Sequence, residues 1–370
     1  MTQKAPAICL NALFIQDPLD GIGNYCFYLI ENLIQQNPTW KLSLLVNKAA
    51  ARHFRVFKDK LEILAVDISS TEGKILYMHG VFPFRALRYD LIHSIANIGL
   101  IFCPVPQIIT VHDTYEYVKP DRFSGWLKRK QLILTKALSG MNADYIITDS
   151  KNTEEDMGRF YPRLRQKVRV VHLGSKFSVE PYIERGRKNF LAQGLLDVGR
   201  NLDQILEAYR SFKGKNEHKL ILFGVRKDGK ESSLPALLES MGLQNHVELH
   251  GRISDEELKE LFQNSLAFIR AQNYDGFGLP IIEAMACGCP TLVAYNSSLV
   301  EVGGDAALFF ETDSASDLAI KMNQLYDDPG LIQNLVKKGL EHARNFSWEK
   351  TTLETSNIYR QCLKENSRPC

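Results

Sequence analysis

The sequence predicts an α/β protein made of two Rossmann-like domains with parallel sheets, and three observations carry that expectation. Short apolar runs alternate with helical patterns along most of the chain, as they do where parallel strands are joined by crossover helices. The alternation breaks at 175–188, a polar stretch that holds Pro181 and Glu184-Arg-Gly-Arg-Lys188. The 370 residues exceed one typical core and suit two domains of ordinary size. The expected division is 1–174, a linker at 175–188, a second domain at 189–345, and a closing segment at 346–370.

In the first half, Ala7 to Phe14 reads as a strand, Gln16 to Gly23 as a turn-rich loop, and Tyr25 to Ile34 as a helix. Leu42 to Asn47 and Leu61 to Val66 are further strands, with a helix from about Ala49 to Phe57 between them. Residues 74–90 interleave aromatic and basic side chains, which suits a membrane interface, an acceptor groove or a helix packed on the sheet. Asp90 to His93 and Pro106 to Asp113 follow as strands, and the second delivers His112 and Asp113 at its C-terminal end. Ligands of open α/β sheets sit at such ends. Phe123 to Leu138 is an amphipathic helix whose cations Lys128, Arg129 and Lys130 adjoin Trp126; together with Arg122 and Lys136 it is the chain's best candidate for a membrane surface, the alternative being an ordinary surface helix. Ala143 to Asn152 is a strand ending in Asp149-Ser150, where the serine suits a helix cap. Val168 to Gly174 closes this half.

In the second half, Asn189 to Gly194 is a strand and a helical pattern runs from Asp197 through Arg200 to Tyr209. Lys219 to Gly224, followed by Arg226 and Lys227, and Val247 to Ile253 are strands. Ser254 with Glu257 makes a capping box for the next helix. Leu266 to Ile269 leads into Asp275-Gly-Phe-Gly-Leu-Pro-Ile-Ile-Glu283-Ala-Met-Ala-Cys-Gly288-Cys-Pro290. Pro280 suits the first helical position, Gly288 and Pro290 stop the helix, and Thr291 to Ala294 reads as a buried strand. From Ser314 onward the pattern is amphipathic helices with a turn at Asp328-Pro-Gly330.

Composition narrows the function. Hydrophobic content of 45% and charged content of 24% are those of a soluble globular protein. The net charge of +2 hides an asymmetry: residues 1–180 hold 23 Lys/Arg against 17 Asp/Glu. The basic first half makes peripheral contact with an anionic membrane an expectation, and no nucleic-acid partner is expected. Seven cysteines in scattered positions give no disulfide framework, and Cys287-Gly-Cys289 has no second pair or His cluster to complete a metal site. With no apolar leader and no run of about 18 apolar residues, a cytoplasmic protein is expected. Gly21-x-Gly23 lacks the third glycine of a dinucleotide fingerprint, since Cys26 stands there, and Ser150 has no base beside it in sequence. NAD and hydrolase chemistry are therefore not indicated.

The segment 275–290 carries the chemistry. Gly276 and Gly278 strip the loop of side chains, so backbone N–H groups at the helix start can approach a phosphate. Glu283, read as lying in the first turn, and Asp275 bring two carboxylates beside that anion. Such carboxylates are tolerated where they accept hydrogen bonds from neutral donors, and vicinal sugar hydroxyls are such donors. The spacing suits a nucleotide sugar.

The string Asp-Gly-Phe-Gly-Leu-Pro-x-x-Glu-Ala-Met-Ala-x-Gly resembles the signature of the group 1 glycosyltransferases, glycosyltransferase family 4, whose usual form has Glu where Asp275 stands. Gly21-Ile-Gly23-Asn-Tyr, His112-Asp113, Asp149-Ser150 and the closing Phe346-Ser-Trp-Glu to Leu363 are also similar to that family, so the resemblance covers nearly the whole chain. It implies a GT-B fold, two Rossmann-like domains facing a central cleft, and a last helix crossing back to the first domain. It implies hexosyl transfer from a nucleoside-diphosphate sugar, GDP-mannose or a UDP-sugar, to a glycan or lipid-linked acceptor. Transfer would retain anomeric configuration, with no metal or other cofactor, in cell-envelope polysaccharide assembly.

The implied donor site comprises Gly21, Gly23, Arg200, Arg252, Ile253, Gly276, Phe277, Gly278, Leu279 and Glu283. The implied acceptor site is His112 and Asp113, and the implied catalytic group is His112, Asp275 and Glu283. Family members commonly have Arg-Lys-Asn where Gly199-Arg200-Asn201 stands, an Arg in some relatives where Gly194 stands, and Pro-Ser where Ala271-Gln272 stands. A sugar-nucleotide epimerase on the same fold, or a catalytically weak nucleotide-sugar-binding protein, are the alternatives.

Overall fold

The structure, a computed structural model, describes residues 5–15, 20–123, 125–193, 201–224 and 234–366. Gly194, Arg200, Arg226 and Lys227 lie outside these residues. The chain divides into two compact units, residues 1–174 with 348–370, and residues 175–347.

Unit 1 is built on seven strands, β1 (Ala7–Ala12), β2 (Lys41–Asn47), β3 (Leu61–Val66), β4 (Leu91–Ser94), β5 (Gln107–Val111), β6 (Tyr145–Thr148) and β7 (Val168–Val170). They lie in the order β3-β2-β1-β4-β5-β6-β7, and every pairing is parallel. The central strands are buried, all but Ala7 at the start of β1, because they are largely apolar on both faces, as a sheet covered on both sides requires. Its helices are α1 (Gly21–Gln36), α2 (Lys48–Ala51), α3 (Thr71–Leu76), α4 (Phe82–Ala86), α5 (Tyr115–Val118), α6 (Trp126–Asn142) and α7 (Lys151–Phe160). The sequence placed the start of α1 at Tyr25. It begins at Gly21 instead, because Asp20 caps it by accepting the Gly23 N–H at 2.8 Å. The helix expected over 49–57 is the short α2 followed by a tighter 3-10 turn, Arg52–Phe57. Ser150 caps α7, accepting the Thr153 N–H at 3.1 Å.

Unit 2 holds β8 (Phe190–Gln193), β9 (Leu220–Phe223), β10 (Val247–His250), β11 (Ala267–Arg270), β12 (Thr291–Ala294) and β13 (Leu308–Phe310). All are parallel, in the order β10-β9-β8-β11-β12-β13. The sequence of 297–310 resembles the family's segment after the motif but marks no strand there, so β13 is an addition from the structure. Its helices are α8 (Leu202–Arg210), α9 (Leu234–Ser240), α10 (Asp255–Asn264), α11 (Leu279–Ala286), α12 (Ser297–Gly303), α13 (Ala315–Asp327) and α14 (Pro329–Ala343). Residues 175–188 lie along this unit: the Glu180 N–H reaches the Ala286 carbonyl, and Arg187 donates to the carbonyls of Gln263, Ser265 and Gly288.

The last helix, α15 (Trp348–Asn366), belongs to unit 1. Trp348 stacks on Tyr28 with ring centroids 5.3 Å apart, and Ser356 accepts the Asn37 side-chain N–H at 3.1 Å.

Candidate active site

In unit 2 the strand order reverses between β8 and β11, and a crevice at the C-terminal ends of two such strands is where an open α/β sheet takes its ligand. Gln193 ends β8 and Arg270 ends β11. The Arg270 guanidinium is buried and forked onto the Asp275 carboxylate through Nε and Nη2. It also donates to Gln193 Oε1 at 3.1 Å and Gln272 Oε1 at 2.8 Å. Asp275 is therefore neutralised within the chain, by a residue the sequence reading passes over because it ends the strand at Ile269 and leaves Arg270 in the connection to the motif. An Arg directly after an apolar strand and five residues before an acid was the available signal.

The loop after Asp275 is fixed by α12. The Ser298 hydroxyl donates to the carbonyls of Asp275 (2.7 Å) and Phe277 (3.1 Å), and Ser297 accepts the Asp275 N–H at 3.1 Å. Gly278 stands at φ +102°, and a Cβ there would lie 2.9 Å from Leu299 Cδ2, so both backbone and space demand glycine. The helix α11 starts at Leu279, which makes Pro280 its second residue rather than its first. Glu283 is consequently in the second turn, not the first, and faces inward with 8% of its surface exposed. Among the described residues its carboxylate has no hydrogen-bond or ion-pair partner. Burial pushes its pKa up, against an opposing pull from the Lys176 ammonium, which is itself paired with Asp255.

Gly276, Phe277, Gly278, Leu279 and Glu283 thus form one continuous wall. Arg252 and Ile253 follow β10 at the sheet edge, where the Gly224 N–H bonds to the Gly251 carbonyl at 3.1 Å. Ser254 caps α10 through the Glu257 N–H at 3.1 Å.

In unit 1, His112 follows β5 and is buried. Its Nδ1–H donates to Asp149 Oδ2 at 2.6 Å and its Nε2–H to the Ile95 carbonyl at 2.8 Å, while its backbone N–H reaches Asn97 Oδ1 at 2.7 Å. Acceptors facing both ring nitrogens suit a ring that carries hydrogen on both. Burial alone would lower its pKa, but the charge and hydrogen bond of Asp149 and the Ile95 carbonyl raise it. A ring so engaged orients its surroundings and has no lone pair for a base. Asp149 reads in the sequence only as part of a strand end, although it fixes His112 and keeps Oδ1 buried without a partner among the described residues.

Tyr25 of α1 sets its ring edge-on to His112 at 5.0 Å, so the helix that Gly21 and Gly23 begin is tied to the His112 neighbourhood. Its hydroxyl meets Thr110 Oγ1 at 3.0 Å, which in turn lies 2.7 Å from His93 Nε2. His93 is wholly buried, and burial followed by the His112 charge lowers its pKa to about 3. Asp113 takes the Tyr115 N–H at 3.2 Å, and burial raises its carboxyl against the pull of Lys136.

The cation expected on the membrane side of α6 is elsewhere. Lys136 is buried, 2.7 Å from the equally buried Glu116, and donates to the Asp113 carbonyl at 2.9 Å. Tyr161 donates to the same Glu116 carboxylate at 2.8 Å, and Arg129 donates to the Glu116 carbonyl at 2.6 Å. These two cations therefore hold α6 to α5 instead of facing outward. The side chain of Arg122 lies outside the described residues.

The cysteines Cys9, Cys26, Cys103, Cys287, Cys289 and Cys362 are free, and among the described residues no group of three or more His, Cys, Asp or Glu side chains could hold a metal ion.

Comparison with known proteins agrees with this geometry. Residues 180–342 match the family described as glycosyl transferases group 1, and residues 19–175 match glycosyltransferase family 4. The O-antigen chain mannosyltransferase B of Escherichia coli is 31% identical over 94% of this chain and 97% of its own length. The chain belongs to the group 1 glycosyltransferases of family 4. Sucrose-phosphate synthase from Thermosynechococcus elongatus superposes with a TM-score of 0.77 at 18% identity, covering 97% of this chain and all of the other. Anabaena HepE, solved with UDP, gives 0.76 at 15% identity over 96% of this chain and all of HepE. The glycosyltransferase therefore has the GT-B fold.

Proposed function

We propose that this glycosyltransferase moves a hexosyl group, with retention of anomeric configuration, from GDP-mannose or a UDP-sugar to a glycan or lipid-linked acceptor in cell-envelope polysaccharide assembly. The observation that carries the reading is the Glu283 carboxylate, buried without a hydrogen-bond or ion-pair partner among the described residues, beside a glycine-lined helix start. A buried carboxylate in that condition is costly, and the vicinal hydroxyls of a ribose would supply the missing donors. The mannosyl and polysaccharide setting is supported by the name of the E. coli relative, and a nucleotide donor by the UDP held in HepE.

In this reading the amides of Gly276 to Gly278, with Arg200, take the diphosphate, Gly21 and Gly23 also serve the donor, and the backbone at Arg252 and Ile253 frames the base. Asp275, held by Arg270, faces the transferred sugar together with Phe277 and Leu279, while His112 and Asp113 shape the acceptor side. The acceptor oxygen bonds to the anomeric carbon as the bond from that carbon to the diphosphate breaks. The acceptor proton passes to the leaving phosphate oxygen, since His112 has no lone pair for it. No metal is required, because the loop amides and Arg200 meet the leaving charge. The enzyme would work in the cytoplasm, in peripheral contact with the membrane.

A thermal-shift screen against nucleotide sugars tests the donor, since a ligand of the folded state raises the melting temperature. A matching donor should then label a glycan or lipid-linked acceptor. Conversion of donor alone to an isomeric sugar nucleotide would replace transfer by epimerisation, and binding with neither reaction would leave a binding protein.

A further inference from the structure

Unit 1 leaves large apolar side chains in water on three neighbouring elements. On α6, Leu127, Leu134, Leu138 and Met141 are exposed, the first by 67%. Their spacings of seven, four and three residues put them on one stripe of a 3.6-residue helix. The other side of α6 faces inward: Thr135, Ser139 and Gly140 are buried, and Leu132 packs on the cluster that contains Met78 and Phe82.

The loop 99–103 is fastened beside that stripe. Its Cys103 N–H donates to Asn142 Oδ1 at 2.9 Å and its Gly99 N–H to Ser139 Oγ at 3.2 Å. On its other side the Ile101 N–H reaches His79 Nδ1 at 3.4 Å, in the wider helical turn Tyr77–Val81 between α3 and α4. Between these anchors Phe102 is 68% exposed, and Leu76, one turn before His79, is 73% exposed. An apolar patch of this kind on a soluble protein marks an interaction site.

We infer that this face, from the α6 stripe across Phe102 to Leu76, docks on an anionic lipid bilayer. Charge decides between lipid and protein. No carboxylate occurs in the 17 residues of α6, while Lys128 and Lys130 are exposed, and the Lys130 ammonium stands 4.5 Å over the ring of exposed Trp126. A two-fold pairing of this face with a second copy would set these lysines against the same lysines, with no carboxylate on the helix to answer them. A bilayer offers what the face lacks: an acyl boundary for the leucines and Phe102, phosphates for the lysines, and an interfacial depth that suits Trp126. The inference deepens the peripheral contact proposed above by naming its face. Its test uses neither donor nor acceptor, so it can fail while the transferase reading stands.

The experiment is co-sedimentation of the full chain with vesicles of phosphatidylcholine alone and with phosphatidylglycerol added, at moderate salt. Two exposed lysines predict roughly 30-fold tighter binding to the anionic vesicles, lost at high salt. The double substitution Phe102→Asp/Leu134→Asp should abolish sedimentation while leaving the melting temperature and nucleotide binding unchanged. In the unaltered protein, brominated lipid should quench fluorescence, and Trp126→Phe should remove that quenching. Equal binding to both vesicle types would overturn the inference, as would undiminished binding by the folded double variant. So would concentration-dependent dimerisation in sedimentation velocity that the same substitutions abolish.

Discussion

Glu283→Gln should do two opposite things at once. The Glu283 carboxyl is 8% exposed, and burial raises its pKa, so its surroundings disfavour the charged form. The sign follows from proton counting: between the ordinary value of 4.5 and the raised folded value, the folded state binds more protons than the unfolded one. Stability tied to this group is therefore greatest below pH 4.5 and is lost as pH rises through the folded value. Glutamine keeps the shape and removes the charge, so the variant without ligand should be more stable than the parent at pH 7. For a unit of this size each kcal/mol relieved raises the melting temperature by about 2–4 °C. Donor binding should move the other way. Hydrogen bonds to a charged acceptor are worth about 1.5–3 kcal/mol and neutral ones about 0.5–1.5 kcal/mol, so replacing one with a neutral acceptor should weaken nucleotide binding by about 5- to 13-fold. Differential scanning fluorimetry without ligand and calorimetric titration with the donor nucleotide read the two effects separately. A melting temperature that falls, or a donor affinity that does not, would refute the assignment of Glu283 as a buried carboxylate kept for a ligand.

Lys136→Met should cost about 3–5 kcal/mol, because it strands the buried Glu116 carboxylate, and adding Glu116→Gln should recover much of the loss in chemical denaturation. The stability that His112 contributes should be full below about pH 6.5 and fade as pH rises through its raised folded value, since the folded ring holds its second proton longer. Asp149→Asn should erase that slope, and nitrogen chemical shifts should then report a neutral His112 ring at pH 7. His93 acts in the opposite sense: with a folded pKa near 3 it stays neutral while the unfolded ring charges, so acid destabilises the fold between pH 6.5 and 3, and His93→Gln should flatten that limb. Gly278→Ala forces a side chain into φ +102° against Leu299, and should cost about 1–3 kcal/mol in urea unfolding while raising the KM for donor more than it lowers kcat.

The sheets were legible because parallel strands buried on both faces are near-continuous apolar runs. Twelve of the thirteen strands among the described residues fall on stretches that periodicity and composition mark, and Leu308–Phe310 is the exception. Helix boundaries were less visible, since they turn on single caps: Asp20 moves the start of α1 to Gly21, and an αL glycine at 278 starts α11 one residue before Pro280. The site was legible where it is contiguous, from Gly276 to Glu283. It was hidden where partners come from distant segments. Nothing local in Asp149 announces His112, 37 residues away, and nothing in a basic helix distinguishes Lys136, which is buried, from Lys130, which is exposed. Periodicity ranks positions on a helix, but which face the fold covers is decided by Glu116 and Tyr161 on other elements.

Helix α15 carries a consequence for biosynthesis. Unit 2 is one unbroken segment, whereas unit 1 is completed only when Trp348–Asn366 leaves the ribosome. At 5–20 residues per second, the 173 residues of unit 2 separate the two parts of unit 1 by roughly 9–35 s. Through that interval Tyr28 lacks its stacking partner and His93 lacks the Tyr359 hydroxyl on its Nδ1. The first-made part of the chain thus waits the longest for its last contacts, and a nascent chain halted before residue 348 is the form that proteases and chaperones should recognise.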